Sequence, residues 1–230
     1  MKIKTILFAA LFPLMMANQA SAALALDATR YIYSGNTAFV SAMVNNESDN
    51  TYGGQVWVDN IVETDTRPTF VATPSFFKIK GKGRQVFRIM KMSDHMPKDK
   101  ESIYWVNLQE IPPAQEGSGL TMAIRMQVKL IYRPEAIVKD RPGAEANMTI
   151  KHLPGQQLLV NSTPYIFAIG EVLDSNDNAI TFSKADTEKL TMFMPGDSVN
   201  VTGKTVKAVS ALSDYGSLDT YVLKSPVKNI

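Results

Sequence analysis

Histidine occurs twice in this chain, at His95 and His152, and cysteine does not occur. Both histidines sit in polar, turn-like stretches. No Gly-x-Ser-x-Gly elbow, metal-spaced histidine pair or phosphate loop accompanies them. No nucleophile–base set for hydrolysis can be assembled, so no catalytic residue is expected. Gly81-Lys82-Gly83 lacks the spacing and the strand-to-helix setting of a phosphate cradle and reads as a hairpin turn. The most coordinating cluster is Met90, Met92, His95 and Met96. Thioethers and imidazole are soft copper ligands, and a copper-binding β-sandwich is the alternative reading this cluster supports. The same methionines also suit a core at a strand end, and the leading expectation carries no metal and no cofactor.

A different chemistry is written between residues 120 and 129. Leu120, Met122, Ile124, Met126 and Val128 alternate with Thr121, Ala123, Arg125, Gln127 and Lys129. Period two puts the first set on one face of a strand and the second on the other, so Lys129 faces away from Ile124. The apolar set either covers its own core or is offered to another chain. Each such side chain contributes about 1.5–3 kcal/mol when fully buried. An exposed edge of this kind invites aggregation, so it needs a cover or a purpose; a second copy of the chain capping it as a homodimer is one such cover.

The elements around these residues read as strands almost everywhere. Short β-rich runs at 37–44, 54–59, 76–80, 84–89, 102–108 and 120–132 are separated by polar turns such as Asn45-Asn46-Glu47-Ser48-Asp49-Asn50 and by Pro112-Pro113. Residues 133–143 are charged and contain Pro134, Pro142 and Gly143, like a hinge. Strands then resume at 157–160, 165–172, 179–183, 190–194, 199–201, 205–209 and 221–223, and no helical stripe of convincing length is present. Many short strands with regular turn signals predict an all-β chain, and the hinge predicts two sandwiches.

The start of the chain reads as an export signal. Lys2 and Lys4 precede an apolar run through residue 17, interrupted by Pro13, and Ala20-Ser21-Ala22 offers a cleavage site. Residues 1–22 are therefore expected to be removed, leaving 23–142 and 143–230 as two domains. Without Lys2 and Lys4, the 24 basic residues fall to 22 and equal the 22 acidic ones. No global positive field is left to point to nucleic acid or an anionic membrane, and no later segment predicts membrane insertion. A signal peptide together with no cysteine fits a bacterial periplasm.

Residues 96–113, Met-Pro-Lys-Asp-Lys-Glu-Ser-Ile-Tyr-Trp-Val-Asn-Leu-Gln-Glu-Ile-Pro-Pro, resemble the signature of the periplasmic chaperones of the chaperone–usher pathway for pilus assembly. Further matches are Leu26-Asp27-Ala28-Thr29-Arg30-Tyr31-Ile32, Lys129-Leu130-Ile131-Tyr132-Arg133-Pro134, Asn161-Ser162-Thr163-Pro164-Tyr165 and Ser213-Asp214-Tyr215-Gly216. The likeness spans nearly the whole mature chain, more strongly in the first half.

The resemblance implies two immunoglobulin-like sandwiches set at an angle with a cleft between them. It implies partners of two kinds, pilus (fimbrial) subunits and an outer-membrane usher, with no enzyme activity. A subunit lacking its last strand would be stabilised by donor-strand complementation. On the matching positions, Leu120, Met122 and Ile124 are donor residues and Met126 a further candidate. Arg30 and Lys129 would anchor the subunit's C-terminal carboxylate by charge-assisted hydrogen bonds. Such an anchor sets register, which alternating apolar contacts alone do not, because a two-residue slip preserves the facing. Glu101, Arg133 and Asp214 match an interdomain ionic cluster, worth only about 0–1 kcal/mol per pair if exposed. The short loop between Pro113 and Leu120 resembles the subgroup that builds rod-like, adhesive fimbriae.

Overall fold

The computed structural model describes residues 22–61, 66, 68–114 and 122–224. The signal segment and Leu120 therefore lie outside the described residues. Nine strands make up the first half: β1 Leu24–Leu26, β2 Arg30–Ser34, β3 Val40–Asn46, β4 Tyr52–Asn60, β5 Phe70–Thr73, β6 Phe76–Ile79, β7 Arg84–Lys91, β8 Ser102–Ile111 and β9 Arg125–Arg133. They form a four-stranded sheet, β1-β3-β7-β5, and a five-stranded sheet, β2-β9-β8-β4-β6. The alternating apolar side chains of both sheets meet in one core, with Val44, Phe87 and Ile89 from one layer and Val56, Tyr104, Val106, Leu108 and Leu130 from the other. Phe70 packs edge-on against Tyr104 at 4.8 Å between ring centres.

The second half holds β10 Thr149–Leu153, β11 Gln156–Val160, β12 Ile169–Asp174, β13 Ser198–Asn200, β14 Val206–Leu212 and β15 Leu218–Val222, with a short helix, α1 Lys184–Leu190. Its two three-stranded sheets, β10-β11-β13 and β12-β14-β15, enclose a separate core around Met148, Leu159, Phe167, Phe193, Val201 and Val209. The chain is thus all-β with two β-sandwich domains.

A third apolar cluster joins the halves. Ile32, Ile131 and Ile103 are neighbours on the outer face of β2, β9 and β8, and they pack with Ile166, Met192 and Met194 of the second half. Asn161 shapes the segment that brings Ile166 there. Its buried side-chain amide donates to the carbonyls of Tyr165 and Phe193 at 2.8 and 2.9 Å.

Several expectations need correction. Residues 76–80 and 84–89 do not form a hairpin, because β6 pairs with β4 and β7 pairs with β3 and β5. Gly81-Lys82-Gly83 carries the chain between the two layers. A Cβ on Gly81 would lie 2.0 Å from the Asp49 carbonyl oxygen, so this glycine is required by a close backbone approach. The run expected from 120 to 132 enters the ladder only at Arg125. Its partner β8 ends at Ile111, and Pro112-Pro113 offer no N–H to continue the pairing. The strands expected at 179–183 and 190–194 reduce to isolated bridges at Ala179 and Phe193, and between them lies α1, capped by Ser183, whose hydroxyl accepts the Asp186 N–H at 3.1 Å.

Candidate functional site

Strand β9 has two unlike edges. On one side it pairs with β8 along 125–132. On the other it pairs in parallel with β2, and that pairing starts at Arg30↔Lys129 and runs to Ser34↔Arg133. Residues 125–128 therefore have a strand on one side and no paired strand on the other among the described residues. This open stretch lines a cleft of about 620 Å³ that includes Leu26, Ala28, Thr29, Arg30, Met126, Gln127, Val128, Asp214 and Tyr215.

The β8–β9 register is unbroken from Arg125 to Tyr132, so no bulge turns the strand over. Lys129 lies on the face opposite Met126 and Val128, as alternation requires. Met126 packs against the first core. Met122 and Ile124 precede the strand, and Met122 is 70% exposed. The Ile124 carbonyl accepts the Glu110 N–H at 3.0 Å. Glu110, a buried residue of β8, accepts the Leu24 N–H at 2.7 Å through its side chain. Both the N-terminal strand and the approach to β9 are tied to this one residue.

Arg30 and Lys129 stand next to each other at the closed end of the open edge. Burial lowers the Lys129 pKa, and the neighbouring Arg30 charge lowers it further. Burial also lowers that of Arg30, with Asp214 opposing and Arg141 assisting. Lys129 Nζ donates to the Thr191 carbonyl at 2.7 Å, at the C-terminal end of α1, where the helix dipole favours a cation. Arg30 Nε is buried without a hydrogen-bond partner. Two half-buried cations side by side, one with an unpaired Nε, can accept an anion.

Glu101, Arg133 and Asp214 do come together, with Glu101 and Arg133 buried and Asp214 half-buried. Arg133 Nε donates to Glu101 Oε1 at 2.6 Å, and its terminal nitrogens grip Asp214 at 2.7 and 2.9 Å. Glu101 Oε2 accepts the Ile166 N–H at 2.7 Å, and the Glu101 N–H reaches the Pro164 carbonyl at 2.8 Å. Strands β8 and β9 are thereby bonded to two segments of the second half. Burial raises the Glu101 pKa despite the Arg133 charge and hydrogen bonds. Burial pushes Asp214 the same way, but its hydrogen bonds and charge pairing with Arg133 outweigh it and hold this carboxyl low. The sequence reading missed two members. Arg141 Nη1 donates to Glu145 Oε2 at 3.0 Å, and Arg141 lies 3.8 Å from Asp214. The Arg-x-x-x-Glu spacing was the available signal, hidden inside a stretch that read as hinge.

The methionine cluster is split. Met96 is buried in the first core, Met92 is 64% exposed, and His95 Nδ1 lies against Ser93 Oγ at the surface. The copper reading is not supported. No helix among the described residues is long and apolar enough to cross a membrane.

Comparison with known proteins agrees with this architecture. Residues 23–138 match the family described as pili and flagellar-assembly chaperone, PapD N-terminal domain. The chain is 54% identical over 212 residues to the chaperone protein FaeE of Escherichia coli, covering 91% of this chain and 82% of that protein. It is 40% identical to the chaperone protein FanE of Escherichia coli, covering 91% and 94%. The solved periplasmic chaperone SfaE superposes with a TM-score of 0.66 at 30% identity, over 87% of this chain and 100% of that one. The SafB chaperone, solved in complex with the Salmonella enterica SafA pilin, shares the fold with a TM-score of 0.68 at 23% identity, over 88% and 97%. The chain belongs to the family of pilus-assembly chaperones.

Proposed function

We propose that this chain, after export and removal of residues 1–22, binds pilus subunits in the periplasm by strand donation and delivers them to an outer-membrane usher. Domains of residues 23–142 and 143–230 frame the binding cleft. The observation that carries the reading is the half-covered edge of β9. Main-chain groups of 125–128 accept an added strand, and the apolar side chains of Leu120, Met122 and Ile124 fill the groove of a subunit that lacks its own last strand, while Met126 stays packed against the chain's own core. Arg30 and Lys129, where the open edge ends, take the subunit's C-terminal carboxylate. A strand that ends there runs parallel to β9. No cofactor or nucleotide takes part, and release is driven by the better-fitting strand of the next subunit. In the absence of a subunit, the same edge is where a second copy pairs.

The test is periplasmic co-expression with pilus subunits, followed by purification through a tag on the chain. Wild type is expected to retain a subunit, and Lys129→Ala and Ile124→Asp are expected to lose it while circular dichroism stays native. Retention by both variants would remove the proposed site.

A further inference from the structure

Tyr215 is 99% exposed, yet it does not project from a loose loop. It lines the same cleft as Arg30, Met126 and Val128, carried there by a turn of the second domain. Ser213 Oγ accepts the N–H groups of Tyr215 and Ser217 at 3.3 and 3.2 Å, and the Gly216 N–H reaches the Ser213 carbonyl at 3.0 Å. Gly216 takes φ +86°, a left-handed conformation that favours glycine. Asp214, one residue before the tyrosine, is gripped at both oxygens by Arg133. A Cβ on Gly216 would sit 3.6 Å from Thr29 Oγ1, so the turn abuts the segment leading into Arg30.

With the turn's backbone already ordered, seating Tyr215 costs only its two side-chain torsions, and buried tyrosines recur as interaction hot spots. The rest of the cleft offers Leu26, Ala28, Met126 and Val128 as apolar lining beside the Arg30 cation; its two carboxylates are already engaged, Asp27 by the Tyr31 hydroxyl and the Met43 N–H and Asp214 by Arg133. That combination fits the end of a strand carrying a free carboxylate and an apolar side chain next to it. Resting on the strand-donation reading above, we propose that Tyr215 is a specificity-determining contact from the second domain, closing over the terminal residues of the bound subunit. The first domain holds the strand's backbone and carboxylate, and the second reads its last side chains.

The experiment uses the full mature chain in complex with the pilus subunit it retains from the periplasm. Complexes of wild type, Tyr215→Ala, Tyr215→Phe and Lys129→Ala are compared by dissociation rate. Tyr215→Ala is expected to dissociate about tenfold faster or more, as burial of an aromatic ring implies, and Tyr215→Phe is expected to remain near wild type. In Tyr215→Trp, the emission in excess of that from Trp57 and Trp105 is expected to shift to the blue in the complex relative to the free chain. Wild-type lifetime in Tyr215→Ala, or an unshifted spectrum, overturns the contact if Lys129→Ala still loses its subunit. Retention by Lys129→Ala overturns the parent reading and the contact with it.

Discussion

Arg30 and Lys129 are directly opposite each other at the first step of the parallel β2–β9 pairing. Placing two cations side by side, partly out of water, costs free energy that an arriving carboxylate would return. Such an unfavourable pairing is the pattern expected of a site rather than of a structural pair.

Replacing Lys129 by methionine should therefore separate function from stability. The variant loses one hydrogen bond to Thr191 but also loses the repulsion from Arg30. Its unfolding free energy in urea should stay within about 0.5 kcal/mol of wild type, the usual range for changes outside a core. Subunit affinity should fall by roughly 2–5 kcal/mol, as when one partner of a buried charge pair is truncated. A large stability loss with unchanged affinity would reverse the assignment.

The lowered Lys129 pKa gives binding an alkaline limit. Below that pKa the lysine is charged both free and bound, and affinity is flat with pH. A bound carboxylate raises the pKa, so above the free value binding takes up a proton and affinity falls as pH rises, by up to about tenfold per unit. Dissociation constants from pH 7 to 10 should show the fall in wild type. In Lys129→Arg it should be absent over that range, because arginine stays charged.

Arg133 joins two carboxylates across the domain junction, one of them on a residue only 2% exposed. Arg133→Ala leaves Glu101 buried without its cation and should cost about 3–5 kcal/mol. Lysine should not rescue it, since one ammonium cannot replace a fork that reaches both partners. Urea unfolding of the three proteins measures this directly.

The same junction sets the acid response. Asp214 is held below its usual pKa, so its stabilisation is complete above the unfolded value near ~3.9 and is lost as pH falls through the lower folded value. Glu101 is raised and works in the opposite sense, favouring the fold at low pH and losing that contribution as pH rises through its folded value. Asp214→Asn should be less stable than wild type at pH 6, with the gap narrowing towards pH 3 as the wild-type carboxylate protonates.

Aspartate substitutions along the donor run should divide by position. Met122→Asp alters an exposed side chain and should leave the melting temperature near wild type while abolishing subunit retention. Met126→Asp places a charge against the first core and should destabilise the chain itself. Equal melting temperatures for the two would contradict the placement of Met126.

Most of the strands and the alternation of β9 were legible because period two is a local property. Lys129 facing away from Met126 and Val128 followed from counting alone. What could not be read was pairing between distant segments. Residues 76–80 and 84–89 look like hairpin arms, yet their hydrogen bonds go to different sheets, and nothing in the turn announces that. Helix α1 is seven residues long, too short for periodicity to declare it; its Ser-Lys-Ala-Asp cap was the available signal. Arg30 and Lys129 were found through a resemblance. That each is desolvated, and that they sit where the β2 pairing begins, required the fold.

The beginning of β2 has a mechanical meaning as well. A strand sliding along the free edge of β9 towards Lys129 meets a rail already occupied, because from Arg30 onward that edge is bonded to the chain's own β2. Overshoot is blocked by backbone alone, whatever the charges. Backsliding is not, since among the described residues no strand pairs with that edge before Lys129. On the proposed function, the two cations would act against withdrawal in one direction while the fold supplies the buffer in the other, a measuring stop that would fix how many residues of the guest strand are gripped.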